Sequence, residues 1–177
     1  MNSALPEVQI RRMAAADLDR VLEIAANLPA APAWPRLAYL EALHLVAEPA
    51  AAVPRLALVA VAPPSQPDLG PSGTIPAPNP PSVQGFAVAS LLPPQAELET
   101  FAVAASNQRR GFGRLLLAAL VAELTAAGVR ELRLEVRASN QPAIAFYLAA
   151  GFQQTGRRAR YYAQPAEDAV LMSARLG

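Results

Sequence analysis

Gln108-Arg109-Arg110-Gly111-Phe112-Gly113-Arg114 runs directly into Leu115 to Leu124, a stretch of leucines and alanines whose continuous apolarity predicts a buried helix. Just ahead, Phe101-Ala-Val-Ala-Ala reads as the strand that feeds this turn. Two glycines between strand and helix let the backbone turn tightly and leave several N–H groups pointing outward. The positive end of the helix dipole stands behind those donors, which makes an anion site. Arg109, Arg110 and Arg114 add permanent charge and forked donors suited to phosphate oxygens. The stretch reads as a cradle for a pyrophosphate.

The two better-known nucleotide cradles are excluded. A P-loop ends in Gly-Lys-Ser/Thr, and this chain contains no lysine. A dinucleotide fingerprint needs a third glycine where Leu116 stands. The Gln-Arg-Arg-Gly-Phe-Gly order instead resembles the acetyl-coenzyme A signature of the GCN5-related N-acetyltransferases, the GNAT superfamily. A second block follows at the distance that superfamily uses: Leu134-Glu-Val-Arg-Ala-Ser-Asn140, Ala143-Ile-Ala-Phe-Tyr147 and Ala150-Gly-Phe152. More narrowly, Leu98 to Met172 resembles the RimI-like ribosomal-protein alanine N-acetyltransferases. Arg158-Ala-Arg-Tyr-Tyr162 and Glu167-Asp-Ala-Val-Leu-Met172 join the matching pieces. Somewhat over two fifths of the chain is covered, and the N-terminal half resembles the family in pattern only.

Composition narrows the chemistry independently. At 177 residues the length fits one domain with a sizeable core, taken here as residues 1–177. Hydrophobic residues make up 53% and charged ones 16%, and no apolar run approaches the ~18–20 residues of a membrane span, so a cytoplasmic protein is expected. With no cysteine, thiolate catalysis, disulfides and cysteine-bound zinc are unavailable. A single histidine, His44, leaves neither a histidine metal site nor a Ser-His-Asp triad, so no metal is expected. A net charge of +1 argues against broad nucleic-acid binding, although six of the fifteen arginines fall in the pairs 11–12, 109–110 and 157–158.

The periodicity predicts an α/β fold on a mixed sheet. Val8 to Arg12 reads as a strand, and Leu18, Val21, Leu22 and Ala25 line an amphipathic helix ending near Pro29. A second helix starts at Pro35 and carries Leu37, Leu40 and Leu43 or Leu45. Strands follow at 56–62 and 83–92, joined by the 63–82 segment, whose eight prolines forbid sheet pairing and make it a loop inserted in the domain. Then come strand 97–104, helix 113–127 ended by Gly128, and the strictly alternating strand Glu131 to Arg137. Ser139 or Asn140 caps helix 141–150, and strands at about 151–157 and 168–176 close the fold.

Acetyl transfer to an amine needs a held cofactor, a neutral amine, an oxyanion donor and stabilisation of the leaving thiolate. The resemblance implies splayed strands at 97–104 and 131–137, with backbone groups of Phe101 and Val103 binding the pantetheine arm. It implies cofactor contacts at Gln108, Arg109, Arg110, Gly111, Phe112, Gly113, Arg114, Asn140 and Tyr147, and helix capping accounts equally well for Asn140. It implies Glu135 as the base and Tyr147 as the acid. The residues themselves read differently at 135: Glu135 alternates onto the polar face beside Arg133 and Arg137, where an ion-paired carboxylate is a weak base. A phenol near pKa ~10 facing a thiol near ~8.5 favours a hydrogen bond over full proton transfer.

On the acceptor side, the resemblance implies a peptide-binding loop and strand start formed by Arg158, Arg160, Tyr161, Tyr162, Glu167 and Asp168. The expected acceptor is the α-amine of a protein N-terminus, a ribosomal protein beginning with alanine, and the enzyme is a monomer or homodimer. At pH ~7.4 such an amine, with pKa ~8, is about one fifth neutral, against about one in a thousand for lysine. Three alternatives stand beside it. These are a small-molecule amine acetyltransferase, a non-catalytic acyl-coenzyme A sensor, which the pairing of Glu135 with Tyr147 argues against, and an RNA-contacting module.

Overall fold

Residues 8–28, 34–44, 53–63 and 82–177 are described by the computed structural model. The proline-rich 63–82 segment lies, apart from its two end residues, outside them, as do Pro29 and Leu45. Strand β1 (Gln9–Arg12) leads through a short 3-10 turn into α1 (Leu18–Ala26), then α2 (Arg36–Ala42). Strands β2 (Arg55–Ala62), β3 (Ser82–Leu92) and β4 (Gln95–Val103) precede α3 (Phe112–Ala126) and β5 (Glu131–Arg137). Helix α4 (Gln141–Ala149) and the hairpin β6 (Gln153–Ala163) with β7 (Ala166–Arg175) complete the chain.

The seven strands form one mixed sheet in the order β1-β2-β3-β4-β5-β7-β6. Only the β4–β5 pair is parallel, because α3 is the crossover between them. Each face carries its own core. Phe112, Leu116, Leu120 and Leu124 of α3 pack with Tyr147 and Phe152 on Leu56, Leu58, Leu98, Leu132, Leu134 and Met172. Leu18, Val21 and Ile24 of α1 and Tyr39 of α2 cover Val59, Phe86, Val88 and Ala102 on the opposite face. No described helix is long and apolar enough to cross a membrane.

Strand β4 changes phase midway. Ala89 of β3 pairs with Leu98 and Val88 pairs with Thr100, so Glu99 is an extra residue, a β-bulge. Before it, Ala96 and Leu98 face the α3 core; after it, Ala102 and Ala104 face the α1 core while Phe101 and Val103 turn toward α3.

Several expectations need correction. In α2 the buried face is Tyr39 and Ala42, while Leu37 is 55% exposed; Pro35 caps the helix from outside, with extended backbone. Leucine spacing misled there because the large ring, tilted against Trp34 at 5.3 Å and edge-on to Phe86 at 5.9 Å, took the core position. Gly113 lies inside the first turn of α3 and not between strand and helix. Strand β6 runs to Ala163, so Arg158, Arg160, Tyr161 and Tyr162 are strand residues and not a loop; antiparallel pairing with β7 extends what local propensity left open.

Candidate functional site

Gly111 caps α3 with φ +88°, a left-handed conformation that L side chains resist, so glycine is required to aim the first N–H groups of the helix outward. Arg109, at φ +59°, shares the tight turn. Arg109, Arg110 and Arg114 are exposed, and none makes an ion pair among the described residues. Their charge is therefore uncommitted beside a helix N-terminus. Phe112 is 2% exposed, so its ring belongs to the core and only its backbone can serve the turn. Gly113 has a different reason to be glycine: a Cβ there would stand 3.5 Å from the Phe146 ring and 3.7 Å from Val103, ordinary contact that leaves no room for branching.

Below this turn the sheet opens. Parallel pairing of β4 with β5 runs from Gln95–Glu131 to Leu98–Leu134 and stops. Beyond it, Thr100 to Val103 pair only with β3, and Glu135 to Arg137 only with β7. Ala104 gives its N–H to Gln84 of β3 at 2.8 Å, so alternation turns the backbone of Val103 and Phe101 toward the gap. The carbonyl of Val103 there accepts a hydrogen bond from the Gln108 amide at 3.1 Å. Aromatic rings wedge the opening from the α3 side: Phe101 stacks on Phe146 at 5.7 Å, and Tyr147 meets Phe101, Phe146 and Phe152 at 6.3, 5.2 and 5.4 Å. Burial pushes the Tyr147 phenol well up, with the neighbouring Tyr162 adding to the shift. Asn140 caps α4, its Oδ1 accepting from the Ala143 N–H at 3.2 Å.

Glu135 lies on the face of β5 opposite Leu134 and Val136, which pack on the α3 side. Its carboxylate pairs with Arg158 of β6 at 2.6 Å, not with the strand neighbours expected for it. Arg133 instead pairs with Glu131 at 2.7 Å, and Arg137 with Glu167 at 3.2 Å. Sequence spacing could not foresee this, because Arg158 reaches Glu135 from β6 across the intervening β7. Glu97 of β4 is a third group brought to the same place, and nothing in the motifs marked it. Burial first, then the Glu135 and Glu99 carboxylates, hold its carboxyl above the usual range, with Arg158 opposing.

The six acceptor-side residues divide. Arg158 and Tyr161 stand at Glu135; hydrogen bonding toward that carboxylate, then burial, holds the Tyr161 phenol above its ordinary value. Tyr162 lies under the Arg137 guanidinium at 4.2 Å. Glu167 and Asp168 have structural partners: Glu167 accepts from Arg137 and from the Ser139 N–H, and Asp168 accepts from the Arg160 N–H at 2.9 Å. The hairpin is thereby bolted to the start of α4. Among the described residues no group of three or more metal-ligating side chains occurs.

The chain matches the acetyltransferase (GNAT) family over residues 56–152. It is similar to the [ribosomal protein bS18]-alanine N-acetyltransferase of Salmonella typhimurium, 47% identical over 90 residues that span 50% of this chain and 61% of that one. The Escherichia coli (strain K12) protein of the same name is 43% identical over 90 residues, with the same coverage. Both matches thus span less than two thirds of the relatives' length. The crystal structure of the ribosomal-protein-S18-alanine N-acetyltransferase from Escherichia coli superposes with a TM-score of 0.69 at 28% identity, covering 96% of this chain and 94% of that one. The family match takes in the strand pair, the turn, the splay and the tyrosine helix, more than half of the sequence. This chain belongs to the acetyltransferase (GNAT) family.

Proposed function

We propose that this chain transfers the acetyl group of acetyl-coenzyme A to the α-amine of a protein N-terminus, with a ribosomal protein beginning with alanine as the acceptor. The observation that carries the reading is the end of β4–β5 pairing at Leu98–Leu134, with the left-handed Gly111 turn on one side and Glu135 on the other. The full length acts as one domain, with the 63–82 insertion part of it. The N–H groups of the Gly111–Arg114 turn, with Arg109, Arg110 and Arg114, bind the pyrophosphate. The pantetheine arm lies along the gap, where backbone groups of Phe101 and Val103 receive it after the Gln108 amide moves aside.

The amine nitrogen attacks the thioester carbon, a C–N bond forms, and collapse of the oxyanion breaks the C–S bond. Glu135 takes the proton released by the ammonium, directly or through water. The raised Tyr147 phenol keeps its proton and acts as a hydrogen-bond donor to the departing sulfur, stabilising charge without full transfer. The names of the similar enzymes support an alanine α-amine as acceptor.

A direct test compares two synthetic peptides by intact mass after incubation with acetyl-coenzyme A. One begins with free alanine; the other has a blocked N-terminus and an internal lysine. The first gains one acetyl group and the second none. Ready modification of polyamines or aminoglycosides, with every peptide ignored, would leave the fold standing and overturn the acceptor.

A further inference from the structure

One guanidinium occupies the place a different cation needs. Arg158 Nη1 stands 2.6 Å from Glu135 Oε1 as an ion pair, yet the Arg158 side chain is 55% exposed where Glu135 is only 15% exposed. Neighbouring arginines are gripped from several sides. Arg55 holds Glu99 through two N–H groups at 2.7 and 3.1 Å, and Arg137 is shared among Glu167, the Gln164 carbonyl and the Tyr162 ring. Arg158 is held by Glu135 and, more loosely, by the Tyr161 ring at 5.5 Å.

It arrives there because β6 bulges. Pairing with β7 is lost between Arg158 and Tyr162, and Arg160 adopts φ +52° with its N–H fastened to Asp168. Such a bulge re-aims side chains, here Arg158 and Tyr161, over the mouth of the splay. The groups that face Glu135 are then Glu97 from β4 and Arg158, Tyr161 and Tyr162 from β6.

We propose that Arg158 is a specificity-determining residue whose guanidinium keeps the position of the acceptor's ammonium and yields it only to an amine-bearing chain end. The inference rests on the α-amine reading above and adds to it the residue that tests the acceptor. Glu97 and Glu135 present two carboxylates across one opening, and without a cation each would be left facing the other's charge. An incoming ammonium replaces the guanidinium charge for charge, so the opening stays compensated. A blocked, neutral chain end offers no such exchange. Arginine cannot give up its proton to the base, so it holds the position without reacting there. Standing exposed on an edge strand, it swings into water at small cost, as exposed ion pairs do.

Calorimetry on the complex with coenzyme A measures the exchange directly, using a peptide with a free N-terminal alanine and the same peptide acetylated. Arg158→Gln should tighten the free-amine peptide by about two- to fivefold, the scale of a surface ion pair. Arg158→Lys, which keeps a cation, should bind like the parent. In the Glu135→Gln background, Arg158→Gln should change nothing, and the acetylated peptide should be blind to residue 158 throughout. Weaker binding of the free-amine peptide by Arg158→Gln, or a gain that survives without Glu135, overturns the proposal while α-amine acetylation by the parent stands. A parent that acetylates no α-amine and binds neither peptide overturns both.

Discussion

The two ends of the splay are built from different materials. At the Gly111 turn the backbone does the positioning: one left-handed glycine, the first N–H groups of α3, and three arginines with no ion-pair partner among the described residues. At the acceptor mouth side chains do it, and nearly every charge is already engaged: Arg158 with Glu135, Arg55 with Glu99, Arg137 with Glu167 and Arg157 with Asp168. A backbone turn with its donors unspent suits an anion, which under the proposed function is the cofactor's pyrophosphate. A mouth closed on itself by ion pairs must exchange partners to open, which under the proposed function makes it the place where acceptors are sorted.

The sharpest way to break this contrast is at Glu135. Replacement by Gln should lower kcat/KM by about 10²–10⁴-fold while acetyl-coenzyme A affinity stays unchanged, since the residue belongs to the mouth and not to the cradle. Steady-state kinetics paired with calorimetry separates the two.

Next in size are the glycines of the turn. Gly111→Val forces a β-branched residue into a left-handed conformation, strained by about 1–2 kcal/mol before any clash with phosphate, and calorimetry should show cofactor affinity falling by at least about tenfold. Gly113→Ala should bind within about twofold of the parent, because its Cβ meets only ordinary contacts at 3.5 Å. Equal losses at both positions would remove the distinction between an angle-setting and a packing glycine.

Smaller effects fall in the α1–α2 layer. Asp17 is 7% exposed, accepts from Arg11 at 2.7 and 2.8 Å and from the Ala14 N–H at 2.8 Å, and its carboxyl is held below the usual range chiefly by the Arg11 hydrogen bonds. A depressed folded pKa means that its stabilisation is full above the unfolded value, ~3.9, and disappears as pH falls through the lower folded value. Asp17→Ala should cost about 1–3 kcal/mol at neutral pH, and the deficit relative to the parent should shrink in acid, as read by urea unfolding at both pH values. Smallest of all is Tyr39→Phe. The Tyr39 and Thr100 hydroxyls are buried near one another without a well-formed hydrogen bond among the described residues, and burial raises the phenol to about 12, with the Thr100 hydroxyl opposing. Removing that hydroxyl should leave stability unchanged or improve it, by less than about 1 kcal/mol.

What the sequence made legible follows the same division. Gly111, the leucines of α3, the alternation of Glu131 to Arg137 and the Asn140 cap are local requirements, each met by a residue type that few others can replace. The partner of Glu135, the presence of Glu97 beside it and the length of β6 are products of strand order. Arg158 is distant from Glu135 in the chain and comes to it only because β7 lies between β5 and β6. Tyr39 went unnoticed because leucine periodicity in α2 pointed to another face, and the space under Trp34 and beside Phe86 decided otherwise. Glu97 carried a faint signal, the polar side of an alternating Gln95-Ala-Glu-Leu98 run, which gains meaning only when β5 is placed alongside.

The extra residue at Glu99 also shapes what mutation can explore. Upstream of it β4 turns its even-numbered side chains to α3; downstream it turns its odd-numbered ones there, so one strand serves both cores under two reading frames. Deleting that single residue would join the frames into one regular alternation, with Phe101 and Val103 still toward α3 and Thr100 and Ala102 still away from it, and would remove the carboxylate that holds Arg55. Strand length can therefore change at 99 without turning either frame over, and lineages descending from this chain are free to lose that residue, with its Arg55 pair, while keeping which side chains face each core.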